Sequence, residues 1–97
     1  MFVVQVHYVK PISEVDAHLE AHRRFLEKQY AKGVFIASGP RVPRTGGIII
    51  ARAASKEALE QIIDEDPFYL NGVATYEIME FVARMVAPEL ASMVERI

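Results

Sequence analysis

The chain reads as an α+β protein, an antiparallel four-stranded sheet with two helices in the order βαββαβ. Three observations predict this. Runs of β-branched and aromatic residues alternate with segments whose apolar residues recur every three or four positions. The breaks between them carry cap and turn residues: Ser13, Gly33, Ser55 and Asp66-Pro67. The two halves then repeat one strand–helix–strand unit, which is the pattern of a ferredoxin-like sandwich.

Phe2 to Val9 is rich in valine and aromatics and stops near Pro11, so it predicts the first strand. Ser13 is a good N-cap for a helix from about Ile12 to Lys32, with Asp16 three residues on as in a capping box. Gly33 stands where a C′ glycine ends a helix. Val34 to Ser38 is the second strand. The segment from Gly39 to Gly47 holds two prolines and three glycines and predicts a loop. Ile48 to Ala53 is the third strand. Ser55 caps a second helix to about Asp64, with Ala58, Leu59, Ile62 and Ile63 as its apolar face. Asp66-Pro67 stops that helix, because the residue before proline avoids helical angles. Val73 to Phe81 is the fourth strand. One domain of 97 residues is expected, with a core over 1–82 and a tail over 83–97. In the tail, Leu90, Met93, Val94 and Ile97 stand at helical spacing after Pro88, so a helix packed at an interface is expected.

Composition narrows the function. Half of the residues are hydrophobic (52%) and a quarter charged (25%), which is globular rather than disordered. The formal net charge of −2 argues against nucleic acid, which needs clustered Lys and Arg. With no cysteine, disulfides, thiol nucleophiles and thiolate metal sites are all excluded. Met1 to Val6 lacks the basic start of a secretory signal, and no apolar run approaches the ~20 residues of a membrane span. A cytoplasmic protein with neither membrane nor nucleic-acid partner is the expectation.

The strands also predict a partner. A sandwich with helices on one sheet face should show a polar second face. Ile48, Ile49 and Ile50 are apolar on both faces, as are Val34, Phe35 and Ile36. A second copy stacked face to face, as a C₂ homodimer, is the simplest cover. The competing arrangement is a monomer with its tail folded over the sheet.

His22 is the leading chemical candidate. At the helical period Val15, Leu19, His22, Leu26 and Gln29 fall near one line, the face that a helix buries. An imidazole there is a titratable group aimed at the core. The plainer reading is a core histidine with one satisfied hydrogen bond. Asp66 is the second candidate. Asp64 and Glu65 suit a solvated turn, whereas Pro67 and Phe68 anchor Asp66 toward the core. Both helices lie on one sheet face, which brings Asp66 within range of His22. An aspartate accepting from an imidazole N–H fixes its tautomer, as in an acid–base dyad. The Ser38-Gly39-Pro40 turn and the Arg41 to Gly47 loop are the third. There Arg41 and Arg44 suit an oxyanion or carboxylate, or else the segment is a hairpin loop with solvated arginines. His18 and His22, four apart, suit a shared metal. No third ligand is apparent, so no metal site is expected. His7 falls on the opposite sheet face.

Ala21-His22-Arg23-Arg24-Phe25-Leu26, Gly33-Val34-Phe35-Ile36-Ala37-Ser38-Gly39-Pro40, Pro43-Arg44-Thr45-Gly46-Gly47, Asp66-Pro67-Phe68, and Tyr76-Glu77-Ile78 with Glu80-Phe81 together resemble the YciI-like (YCII) family. The resemblance runs from Phe2 to about Phe81. It implies a ferredoxin-like subunit that forms a dimeric α/β barrel. It also implies an active site on a His and an Asp, matching His22 and Asp66, with Ser38 nearby. Members tied to chemistry resemble muconolactone isomerases and dehydrochlorinases of aromatic degradation. The expectation is therefore a cofactor-free lyase or isomerase acting on a small ring substrate. His22 and Asp66 would be its dyad, Ser38 and Arg44 would position a substrate oxygen, and Phe68 would form an apolar wall. The alternative is a non-catalytic dimeric ligand-binding or interaction module with a structural His–Asp pair. Whether that pair opens onto a cavity separates the two.

Overall fold

Alternation in the first strand sorts its residues between two environments. In β1 (Phe2–Tyr8) the side chains of Phe2, Val4 and Val6 are buried, while Val3, Gln5 and His7 are partly exposed. The computed structural model describes residues 1–95. After β1 come α1 (Ile12–Asp16), α2 (Leu19–Ala31), β2 (Phe35–Pro40), β3 (Gly46–Ala51), α3 (Lys56–Ile63), α4 (Pro67–Leu70) and β4 (Ala74–Glu80). The strands form one antiparallel sheet in the order β2-β3-β1-β4. This is the predicted α+β, ferredoxin-like arrangement. Phe2, Val4 and Ile49 from the sheet share one core with Phe25, Leu59 and Phe68 from the helices. Each such side chain contributes roughly 1.5–3 kcal/mol through its burial.

The predicted first helix is two. Its first turn begins at Pro11, whose carbonyl accepts from the N–H groups of Glu14 and Val15, so Ser13 lies inside the turn and caps nothing. Asp16 forms no capping box, because its carboxylate is drawn out to Arg44. At His18 the backbone leaves the helix (φ −111°, ψ 6°), and α2 restarts at Leu19. The break uncouples Val15, sealed in the core, from the phase of α2. The C-terminus of α2 follows expectation. Gly33 adopts φ +72°. Its N–H donates to Tyr30 O and that of Val34 to Gln29 O, each at 3.0 Å, the two bonds of a Schellman motif. That reversal aims Phe35 into the core.

The expected loop is shorter than its glycines and prolines suggest. Gly39 and Pro40 extend β2, and Gly46 and Gly47 open β3, leaving only 41–45 as connection. Proline is tolerated because β2 is an edge strand and needs no second ladder. Gly46 is required for close approach: a Cβ there would fall within the contact distance of the Val6 carbonyl oxygen. Ser55 caps α3 as predicted, its Oγ accepting from Ala58 N–H at 3.1 Å. The Asp66-Pro67 pair does more than end a helix. Asp66 caps α4, a short helix absent from the predicted order, with Pro67 at its first position. In the tail, Pro88–Met93 is 3₁₀ with a break at Leu90, rather than one α-helix, and Ile97 lies outside the described residues.

The sheet face away from the helices carries a continuous apolar row. Cross-strand pairing places Ala37, Ile50, Val3 and Met79 side by side. No helix among the described residues is long and apolar enough to cross a membrane.

Candidate functional site

Asp66 is the fixed point of the site. It is fully buried at the N-cap of α4, where Oδ1 accepts the Phe68 N–H at 3.0 Å. The same oxygen lies 2.7 Å from His22 Nδ1 on α2. Its other oxygen, Oδ2, accepts from the Tyr76 hydroxyl of β4 at 2.5 Å. A carboxylate only accepts, so His22 Nδ1 carries the proton, and in the uncharged tautomer of the ring the lone pair is on Nε2. Burial first, and then the negative charge of Asp66, pushes the Tyr76 phenol far above the ordinary tyrosine value of 10.0. Tyr76 therefore stays a proton donor to the aspartate.

The imidazole is held on its flat side as well. Phe68, two residues after Asp66, stacks on it with ring centroids 3.9 Å apart and planes within 5°. One turn of chain thus supplies both the hydrogen-bond acceptor and the aromatic plate. The His22 side chain keeps 12% of its surface exposed. That surface opens on a cavity of about 340 Å³ between α2 and the β2–β3 hairpin, lined by His22, Ser38, Arg44 and Phe68 among others.

Four of the five predicted site residues therefore meet at one cavity, and the fifth, Asp66, stands behind His22. Ser38 and Arg44, like His22, are each tethered from outside the cavity. Ser38 Oγ lies 2.5 Å from the Tyr30 hydroxyl. Arg44 donates to Asp16 at 2.7 Å and sits 5.6 Å from the centre of the Tyr8 ring. The bond to Asp16 raises the Arg44 guanidinium further above its already high value. Arg41, His18 and His7 do not line the cavity. His7 is on the open sheet face, 3.5 Å from Glu77. Among the described residues no three His, Cys, Asp or Glu side chains gather as a metal-ligand set.

Tyr76, Tyr30, Asp16 and Arg23 are part of this arrangement without standing out in the apolar pattern. For Tyr76 a signal exists. It pairs with Val6 across β1 and so shares the helix-covered face. For Arg23 the signal is spacing, since Leu19, His22, Arg23 and Leu26 follow the i, i+3, i+4, i+7 rule and all line the cavity.

A model of the YCII-related domain matches residues 1–82. The chain belongs to the YCII-related family. Among solved structures, this YCII-related chain is similar to 5-chloro-2-hydroxyhydroquinone dehydrochlorinase (TftG) from Burkholderia phenoliruptrix AC1100, described in complex with 2,5-dihydroxybenzoquinone. The superposition has a TM-score of 0.70 and covers 84% of this chain and 93% of that one, at 19% identity. At that identity the likeness is one of fold. No curated protein matches the sequence.

Proposed function

We propose that this YCII-related protein is a cofactor-free acid–base enzyme, a lyase or isomerase acting on a small ring compound. One observation carries the reading: the His22–Asp66 pair, with its aspartate buried, borders a cavity through the His22 ring instead of being sealed in the core. The volume is at the small end of ligand sites and suits a single ring. His22 Nε2 is the working atom. It takes a proton from a substrate C–H or O–H while Asp66 supports the positive charge on the imidazole. In a dehydrohalogenation the freed electron pair forms the new double bond, and halide leaves with the pair of the carbon–halogen bond. In an isomerisation the same proton returns at another carbon. Ser38 and Arg44 position a substrate oxygen, and Phe68 walls the ring. The dehydrochlorinase of similar fold supports a halogenated or hydroxylated ring as the first substrate class to try.

The test is a screen of hydroxylated and halogenated ring compounds and lactones with wild type and His22→Ala. A positioned base is worth roughly 10²–10⁴ in rate. A loss of that size in a folded variant is expected, and undiminished turnover would remove His22 from the mechanism.

We also propose that a second copy covers the apolar row Ala37, Ile50, Val3 and Met79. Sedimentation of wild type against Val3→Glu tests it. A monomeric wild type refutes it.

A further inference from the structure

The charged groups facing the cavity are all of one sign. Its wall holds Arg23 and Arg44 and no carboxylate. The two arginines are not equivalent. Arg44 is already paired with Asp16, which offsets its charge and fixes its position. Arg23 has no carboxylate within ion-pair distance among the described residues, while its neighbour Arg24 is tied to Glu20 at 3.0 Å on the outer face of α2. The helical period explains the difference. Arg23 follows Leu19 by four residues and precedes Leu26 by three, so it shares their cavity-lining face, and Arg24 is turned about 100° away.

An unpaired guanidinium at a cavity lined mainly by hydrocarbon selects for a partner of opposite charge. Its fork of donors matches a carboxylate or another ionised oxygen. The remaining wall is largely hydrocarbon: Leu19, Leu26, Ile48, Ile49 and the Phe68 ring. We infer that the cavity binds a one-ring organic anion whose ionised oxygen is taken by Arg23 while its ring lies against this apolar wall. The inference rests on the cavity being the ligand site proposed above, and it adds the charge of the ligand and the residue that reads it. Arg23 then has a second use in the proposed reaction. Negative charge that builds on the substrate as His22 removes a proton is met by the same guanidinium.

The experiment compares two probes of one shape. 4-Hydroxybenzoate and 4-hydroxybenzamide differ in charge at neutral pH, and their affinities are measured by NMR titration of the wild-type protein. The benzoate is expected to bind about two- to fivefold more tightly at low salt, as suits a charge-assisted contact at an exposed arginine. The preference should shrink at about 0.5 M salt, where the Debye length has fallen to roughly 4 Å. In Arg23→Gln it should vanish while the benzamide affinity is unchanged, in Arg23→Lys part of it should return, and in Arg24→Gln it should persist. A wild type that binds both probes equally, or neither, overturns the inference, as does a preference that survives in Arg23→Gln. The two proposals fail separately. If His22→Ala keeps the Arg23-dependent preference and wild type turns over nothing in the screen, the acid–base reading falls and this one stands. Turnover with no charge preference gives the reverse.

Discussion

Tyr76→Phe removes one hydroxyl from the site and leaves its ring in place. In wild type that hydroxyl satisfies Asp66 Oδ2, an oxygen of a fully buried carboxylate. A hydrogen bond to a charged group contributes about 1.5–3 kcal/mol, and the loss leans to the upper half because the orphaned acceptor stays out of water. For a chain of this size about 1 kcal/mol moves Tm by about 5 °C, so a fall of roughly 7–15 °C is expected. Thermal unfolding followed by circular dichroism at pH 7 measures it. The pH dependence is a second check. Burial and the Asp66 charge raise the folded-state value for Tyr76 above the 10.0 of a free phenol. The stabilisation is then complete below pH 10 and is lost as pH climbs toward the raised folded value, because the unfolded chain ionises first. The limiting slope is about 1.4 kcal/mol per pH unit. Tyr76→Phe lacks this dependence, so the two stability curves should converge above pH 10. Equal Tm values at pH 7, with parallel curves to pH 11, would refute the claim that Tyr76 holds Asp66.

Three other outcomes follow from the fold. Gly46→Ala forces a Cβ against the Val6 carbonyl and should cost about 1–3 kcal/mol or more, read as a lower urea midpoint. Ser55→Ala removes the α3 cap and should cost about 1 kcal/mol with the urea slope unchanged. The Glu95 carboxyl is held below its ordinary value of 4.5, first by the Ala83 N–H and then by the Met1 ammonium. This tie of the tail should be complete above pH 4.5 and lost as pH falls through the lowered folded value. The Ala83 amide resonance should report that titration, and Glu95→Gln should abolish it.

The sheet and both main helices were legible because alternation and helical spacing record which side chains are buried, and burial is what the fold enforces. Ser55 and Gly33 were legible for a related reason: each performs its function within a few residues. The break at His18 was not, since both sides of it carry helix-forming residues and what pulls Asp16 outward is an arginine 28 residues away. Nor was α4, because Asp66-Pro67 reads equally as the end of one helix and the start of another. At the site, His22 was visible from phase and Asp66 from its anchored turn. The alternation of β4 records which face Tyr76 is on, but not that its hydroxyl reaches Asp66 or that of Tyr30 reaches Ser38, because periodicity does not encode how strands and helices are juxtaposed.

The tethers of the cavity have a consequence for how the protein can change. Asp66, Tyr30 and Asp16 orient His22, Ser38 and Arg44 from outside the cavity. Leu19, Leu26 and Ile48 set its shape and take no part in those bonds. Apart from Phe68, which both walls the cavity and stacks on His22, size and alignment are therefore written in separate sets of residues. Exchanging a wall residue for a smaller or larger one reshapes the space offered to a ring while the bonds that aim the imidazole, hydroxyl and guanidinium persist. On the proposed reading, the same frame would serve rings of different outline through changes of wall alone.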